Sequence, residues 1–322
     1  MITVIAGGVG AARMLRAILQ VVDASGVTAI VNVGDDLVLH GLHISPDIDT
    51  VTYTLASAIN PETGWGLVDE SWQARSMLEM YGGESWFGLG DRDLGTHLYR
   101  TQRLADGADL ATVTNEIAQA WGLDLRVLPV TCDRLRTMVT LAEDDSSDVP
   151  YPPLPSGSEI SFQEYFVRRQ HSLPISAVRF DGAASCSPSD GVLDSINNAQ
   201  TIVIAPSNPL VSIAPILAVP GVRNALSANR ERVVAVSPLI AGTALKGPAD
   251  RMMVELGYDA SVVGIAKLYR EFASTLVIDT QDAKRQPDVE SLGMNCIVTE
   301  TIMNQPGVSE SLARAVLRGG TQ

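Results

Sequence analysis

Short apolar runs of strand length recur along the chain: Ile2–Ala6, Ala29–Val33, Leu125–Val130, Thr201–Ala205, Val233–Val236, Thr275–Ile278 and Asn295–Val298. Several are continuous rather than alternating, as in strands covered on both faces. Helical periodicity lies between many of them, over Ala11–Val22, Asp49–Ala58, Leu110–Trp121, Ala249–Leu256 and Glu310–Leu317. Strands alternating with helices predict an α/β fold with a doubly wound, mostly parallel, Rossmann-like sheet. Two stretches break the alternation. Residues from about 60 to 122 read as helices and loops. Residues from about 136 to 184 mix short strands (Arg136–Leu141, Ile175–Phe180), a proline-rich loop at Val149–Pro155 and a helix near Phe162–Arg169. Both are read as insertions into a single domain spanning 1–322, together forming a cap. The Ser146–Gly157 stretch reads as a loop and not as a linker between domains.

Composition narrows the class. Aromatic residues are only 5% against 46% hydrophobic, which suits a core of Val, Ile, Leu and Ala between parallel strands. A net charge of −14 argues against nucleic acid as partner, since such proteins need clustered positive charge. It leaves room for a small anionic ligand held by backbone amides and a metal. Cys132, Cys186 and Cys296 are too few and too widely spaced for a disulfide framework or a zinc site, so reduced thiols and a cytoplasmic location are expected. The run Ile2–Ala6 is too short for a signal or anchor, and the apolar stretch from Ile202 to Val222 is broken by Ser207, Asn208 and four prolines, so no membrane partner is expected. Only Lys246, Lys267 and Lys284 are lysines among the 23 basic residues, a bias toward arginine that hints at a GC-rich bacterial genome.

The candidate chemistry follows the strands. In open α/β sheets, ligands bind beyond the carboxyl ends. Four segments with glycine or polar residues stand at such ends: Gly7-Gly8-Val9-Gly10, Gly34-Asp35-Asp36, Pro206-Ser207-Asn208-Pro209, and Ser237-Pro238 leading to Gly242, Lys246 and Gly247. The first suits a phosphate, because bare glycines let backbone amides approach an anion at a helix start. It also reads as a tight turn and nothing more. Arg13 stands where a dinucleotide fingerprint needs a small residue, and no Gly-Lys-Ser/Thr follows, so neither an NAD site nor a P-loop fits. The carboxylates Asp35, Asp36, Asp47 and Asp49 can hold Mg²⁺, or one of them can take a proton from an attacking hydroxyl; the alternative is that Asp47 or Asp49 caps a helix near Thr50. In Trp86-Phe87-Gly88-Leu89-Gly90-Asp91-Arg92-Asp93, Trp86 offers a stacking face or core packing, and His97 is spaced to pair with Asp93 on one helix. Lys246 is either a phosphate ligand or a solvated lysine.

Together these segments resemble the 2-phospho-L-lactate transferase family of coenzyme F-420 biosynthesis, which includes the actinobacterial phosphoenolpyruvate transferases. The resemblance rests on Gly7–Gly10, Asn32–Asp36, His43–Thr50, Gly88–Asp93, Ala205–Pro209 and Ser237–Gly242; Ala11 departs from a pattern that often has glycine there. It implies a donor in which guanosine diphosphate carries a lactyl or enolpyruvyl group on its terminal phosphate. The implied acceptor is the ribityl hydroxyl of 7,8-didemethyl-8-hydroxy-5-deazariboflavin, with Mg²⁺ required and GMP released. By position, Gly7, Gly8, Val9, Gly10, Ser207, Asn208, Gly242, Lys246 and Gly247 would hold the nucleotide. Asp49 and Asp47 would be catalytic, Asp49 meeting the acceptor hydroxyl. Asp35, Asp36 and Asp47 would bind the metal, and Asp49, Trp86, Gly88, Asp91, Arg92 and His97 would border the deazaflavin. The suspected lineage favours the enolpyruvyl donor. The rival is a non-catalytic, nucleotide-sugar-binding regulatory relative. The Ser45–Thr50 and Gly90–Asp93 segments speak against it, because a sensor needs no acceptor pocket. A homodimer is the default expectation.

Overall fold

A computed structural model describes residues 1–145 and 151–320. Seven strands make one parallel sheet: β1 (Ile2–Ala6), β2 (Val27–Val31), β3 (Arg126–Pro129), β4 (Thr201–Ile204), β5 (Val233–Val236), β6 (Thr275–Asp279) and β7 (Asn295–Thr299). Their spatial order is β7-β6-β5-β4-β1-β2-β3, and every pair is parallel. Each run expected from the sequence is present, with ends displaced by at most two residues. The central strands β4, β5 and β6 are buried along their whole length, which is why their sequences are apolar without alternation.

The chain lays β1, β2 and β3 outward on one side, then returns to the other side of β1 with β4 and continues outward. The sheet therefore reverses direction between β1 and β4. That reversal leaves a crevice at the carboxyl edge, the usual ligand position in such sheets. Helix α1 (Gly8–Ile18) starts at the crevice and covers the sheet with Ala11, Ala12, Met14, Leu15, Ala17 and Ile18. It begins earlier than the periodicity suggested, because Gly8 and Gly10 form its first turn. Helix α2 (Pro46–Leu55) packs on α1. Pro46 suits a first helical turn, and Asp47 and Asp49 in that turn complement the helix dipole.

Between β2 and α2 stands a hairpin not expected from the sequence, pairing Leu37–Leu39 with Leu42–Ile44. Its two-residue turn is His40-Gly41, with φ of 53° and 77°. Positive φ at both positions is the twist a tight hairpin demands. Asp36 and Ser45, at its two ends, are thereby brought together.

The first insertion holds α3 (Gln73–Met80) and α4 (Asp91–Ala105); α5 (Leu110–Ala120) packs on β3 as its crossover helix. In the second, Arg136–Leu141 is the middle strand of a small antiparallel sheet between Glu159–Ser161 and Ile175–Asp181, and Glu164–Arg168 forms a π-helical turn. The start of the expected proline-rich loop, up to Pro150, lies outside the described residues. Among the described residues, no single helix is long and apolar enough to cross a membrane.

Candidate active site

The glycine turn is shaped by its neighbours. A Cβ on Gly10 would run into the carbonyl oxygen of Pro206, so this glycine serves close packing of α1 against the loop after β4. Gly8 takes φ of 69° and lies against Asp47. Ser207 donates from Oγ to the carbonyl of Gly7 at 2.7 Å, and the Asn208 side chain accepts from the Leu210 amide at 2.9 Å. Ser207 therefore ties the loop after β4 to the glycine turn, while Asn208 caps the turn that follows it. Lys246 lies on an exposed loop and reaches toward Gly64, which in turn approaches Val9. It brings the loop after β5 beside the first insertion. The hairpin Leu239–Ile240 with Thr243–Ala244 carries Gly242, and Gly247 follows it.

Beside the turn is a crowd of buried acids. Asn32, fully buried at the end of β2, donates from Nδ2 to Asp47 at 2.9 Å and accepts the Gly34 amide at 2.8 Å. Asp36 accepts from Ser45 Oγ at 2.7 Å, and Asp35 accepts from Gln163 Nε2 at 3.4 Å. One oxygen of each, Oδ1 of Asp35 and Oδ1 of Asp36, is buried without a partner. Burial drives the Asp35 pKa well above the usual carboxylate range, and the charge of Asp47 adds to the effect. Burial likewise pushes Asp36 up to about 7, against the pull of Arg136 and the Ser45 hydrogen bond. Asp47 rises to about 6 by burial, opposed by Asn32 and the Gly8 amide. Arg136 and Arg100 act on these acids from a distance, but among the described residues none of the three makes an ion pair within 4.0 Å.

Asp49 is in a different position. Its carboxylate forms a two-pronged ion pair with Arg100, with Nη1 to Oδ2 at 3.1 Å and Nη2 on Oδ1. Arg100 is 0% exposed, on the inner face of α4. Burial opposes its charge, but the charge and hydrogen bonds of Asp49 outweigh that and raise its pKa. His97, one turn earlier, places Nδ1 3.2 Å from Arg100 Nη1 and Nε2 3.3 Å from Asp93, off the line of a good hydrogen bond. Tyr53 donates to Asp93 at 2.6 Å. Burial works against the Asp93 carboxylate, yet His97, Tyr53 and Arg100 bring its pKa below the usual value. The expected pairing of His97 with Asp93 is present, within a larger network that ends on Asp49.

The loop before α4 is held by reciprocal caps. Asp91 accepts the amides of Gln73 and Ala74, at 2.9 and 3.0 Å, at the start of α3. Glu70 accepts the amides of Arg92 and Asp93, at 2.8 and 2.9 Å, at the start of α4. Asp91 is thus a helix cap, and its pKa is lowered by Ser71 Oγ and those amides. Arg92 donates to the Val68 carbonyl at 2.6 Å. A Cβ on Gly88 would press on Trp65, and one on Gly90 would strike Glu70, so both glycines admit protein neighbours. Trp86 is half-buried, edge-on to Phe87 at 5.7 Å, with the Arg168 guanidinium 5.9 Å from its ring centre.

The family model for the 2-phospho-L-lactate transferase CofD matches residues 2–302. The chain belongs to this family. It is 39% identical to a phosphoenolpyruvate transferase of Streptomyces griseus, over 98% of this chain and 97% of the relative. It is 38% identical to one from Streptomyces coelicolor over the same shares, and 36% identical to one from a Mycobacterium over 98% of each. A crystal structure of a UPF0052 family member from Bacillus halodurans superposes with a TM-score of 0.65 at 18% identity, covering 98% of both chains. At that identity the likeness establishes the fold alone. Family membership makes the chain a transferase.

Two groups stand out among the expected site residues. Gly7–Gly10, Asp35, Asp36 and Asp47 gather at the crevice, and Asp49 with His97 forms a second cluster. Asp35, Asp36 and Asp47 are neighbours, but among the described residues no three acid, histidine or cysteine side chains converge as a closed metal set. The hairpin turns Asp36 to Ser45, while Asn32 and Gly8 hold Asp47. Sequence reasoning missed Arg100, Arg136 and Gln163, and it read Asn32 only as part of a motif. Arg100 had a signal, since it follows His97 by three residues on one helix face. Arg136 and Gln163 had none, because the fold of the second insertion decides where they lie.

Proposed function

We propose that this chain transfers an enolpyruvyl-phosphate group from a guanosine diphosphate-linked donor to the ribityl hydroxyl of the deazaflavin precursor of coenzyme F-420. The observation carrying this reading is the acid cluster at the crevice, with Asp35 Oδ1 and Asp36 Oδ1 buried and unpartnered beside a glycine turn. Such a cluster calls for a cation. Mg²⁺ takes one or two carboxylates and fills its shell with water and substrate phosphates, so the absence of a third protein ligand does not count against it. Asp35 and Asp36 would hold it, with Asp47 adjacent; when bound, it would neutralise charge on the donor phosphates. The enolpyruvyl donor is favoured over lactyl by the names of the relatives at 36–39% identity.

The protein's own residues supply positioning. The amides at the start of α1 and the loops after β4 and β5 offer donors to the nucleotide. Asp49 is fixed by Arg100, so its remaining lone pairs can orient the acceptor hydroxyl and take its proton. That hydroxyl attacks the phosphorus distal to the nucleoside, and the bond to GMP breaks. Trp86 provides a flat apolar edge near Leu39, Ile44 and Leu89, where a planar ring system can pack.

The test combines binding with turnover. Titrating the purified chain with the deazaflavin precursor should quench tryptophan fluorescence, and adding donor with Mg²⁺ should release GMP. Release should stop in excess chelator and return with Mg²⁺. A chain that binds nucleotide but ignores the deazaflavin would be the regulatory relative instead. Full turnover in chelator would remove the metal from the reading.

A further inference from the structure

Arg100 and Arg136 act on the acid cluster, and Arg134 neighbours Arg136. Arg100 is committed to Asp49, and Arg134 to Asp181 at 2.5 Å. Arg136 has no ion pair within 4.0 Å among the described residues. Its hydrogen bond runs from Nη1 to the carbonyl of Leu135 at 2.7 Å, leaving the rest of the guanidinium fork unused. The side chain is partly buried. Burial lowers its pKa, as does neighbouring Arg134, while Asp36 and Asp35 oppose both. Its backbone is anchored to the site, since Thr137 donates its amide to the Gly34 carbonyl at 2.7 Å.

A partly buried guanidinium thus interacts electrostatically with Asp36 and Asp35 without pairing with either. Arginine and carboxylate pair readily when geometry permits. Here Asp36 turns to Ser45 and Asp35 to Gln163, and each keeps one oxygen unpartnered. A cation against the carboxylates and anionic oxygens against the arginine would satisfy both sets of unused polar atoms. We infer that Arg136 binds the acidic end of the donor, gripping either its distal phosphate or the carboxylate of the transferred group. This rests on the reading of the site as a phospho-group transferase. Arg136 is a substrate-binding residue supplied by the second insertion, so the cap contributes donor recognition as well as cover.

The test uses Arg136→Met and Arg136→Lys in the full chain, with calorimetric titration by GMP and GDP in Mg²⁺, and steady-state kinetics. Arg136→Met should weaken GDP, or raise the donor KM, by about ten- to a hundredfold, while GMP affinity stays within about twofold. Loss on GDP assigns the guanidinium to the distal phosphate. Unchanged GDP with a raised donor KM assigns it to the carboxylate. Arg136→Lys should fall between, keeping charge without the fork. Unchanged GDP affinity and donor KM together, or equal losses for GMP and GDP, would overturn the inference. A purely structural arginine would lower the melting temperature without this split, and the lysine variant carries the comparison if the methionine variant does not fold. Failure of the functional reading shows separately, as absence of GDP binding to the unaltered chain. Inorganic diphosphate with Mg²⁺ then replaces GDP, and Arg136→Met is judged on its affinity.

Discussion

Asp47 and Asp49 stand two residues apart in the first turn of one helix, yet they belong to opposite electrostatic regimes. Asp47 faces Asp35 across the acid cluster, where burial and like charge raise pKa values and carboxylate oxygens lack partners. Asp49 faces α4, where the fully buried Arg100 holds both of its oxygens. One region holds carboxylates without an ion pair; in the other the carboxylate is already paired with a buried guanidinium. A transferase needs both. On the function proposed above, the uncompensated region would take the metal and donor, and the compensated region would present a fixed group to the acceptor.

The largest effect expected is on the compensated side. Arg100→Met would leave Asp49 buried and unpaired, which costs about 3–5 kcal/mol when one member of a buried ion pair is removed. Urea unfolding should show that loss, and turnover should fall with it. Adding Asp49→Asn in the same chain should recover part of the stability but none of the turnover. A loss below about 1 kcal/mol would mean that solvent reaches the pair and that the contrast between the two regions is overstated.

The next effect is on pH dependence, and its sign differs between the regions. The folded pKa of Asp36 is about 7 and that of Asp47 about 6, both above the ordinary 3.8. Between those limits the folded chain holds protons that the unfolded chain has released. Stability from the acid cluster therefore falls as pH rises from about 4 to about 7, then levels. Asp93 is lowered instead, so its contribution is present above the ordinary value and fades as pH falls through the folded one. Without divalent cation, the melting temperature should decline from pH 5 to pH 8, and Mg²⁺ should reverse the decline at pH 8 by replacing the missing protons. Asp36→Asn should flatten the profile and remove the Mg²⁺ response. An unchanged profile in that variant would place the titration elsewhere.

The sheet was legible because every strand is a buried apolar run, and buried parallel strands carry their signal locally. The glycine turn and the paired acids were legible because each follows a strand end. Partnership was not. Asp49 looked free to meet a substrate until the fold brought Arg100 from 51 residues away. Gly10 reads from the sequence as a phosphate contact, and its missing Cβ also makes way for Pro206. Substitution there is expected to harm folding and binding together, unlike the selective loss that a phosphate contact would give. The hairpin at His40-Gly41 was missed because its strands are three residues each, too short for periodicity to register.

The smallest effect separates the two roles in the Trp86–Asp93 loop. Asp91 caps α3 while Glu70 caps α4, so the loop is fastened at its Asp91 end by backbone amides. Trp86 sits at the other end, with one edge on Phe87 and a partly open ring. If the deazaflavin packs on that ring, Trp86→Ala should raise its KM by up to roughly tenfold, since aromatic stacking contributes about 0.5–1.5 kcal/mol beyond area burial. Nucleotide affinity should stay unchanged, because the crevice between β1 and β4 is built from other segments. Asp91→Ala should lower the melting temperature slightly and loosen α3, raising the acceptor KM only as far as the loop shifts. Arg168, whose guanidinium lies near Trp86 and over Tyr151, links the loop to the second insertion. A Trp86→Ala chain with unchanged deazaflavin KM but a lowered melting temperature would make the ring a packing residue of the cap and move the acceptor pocket off this loop.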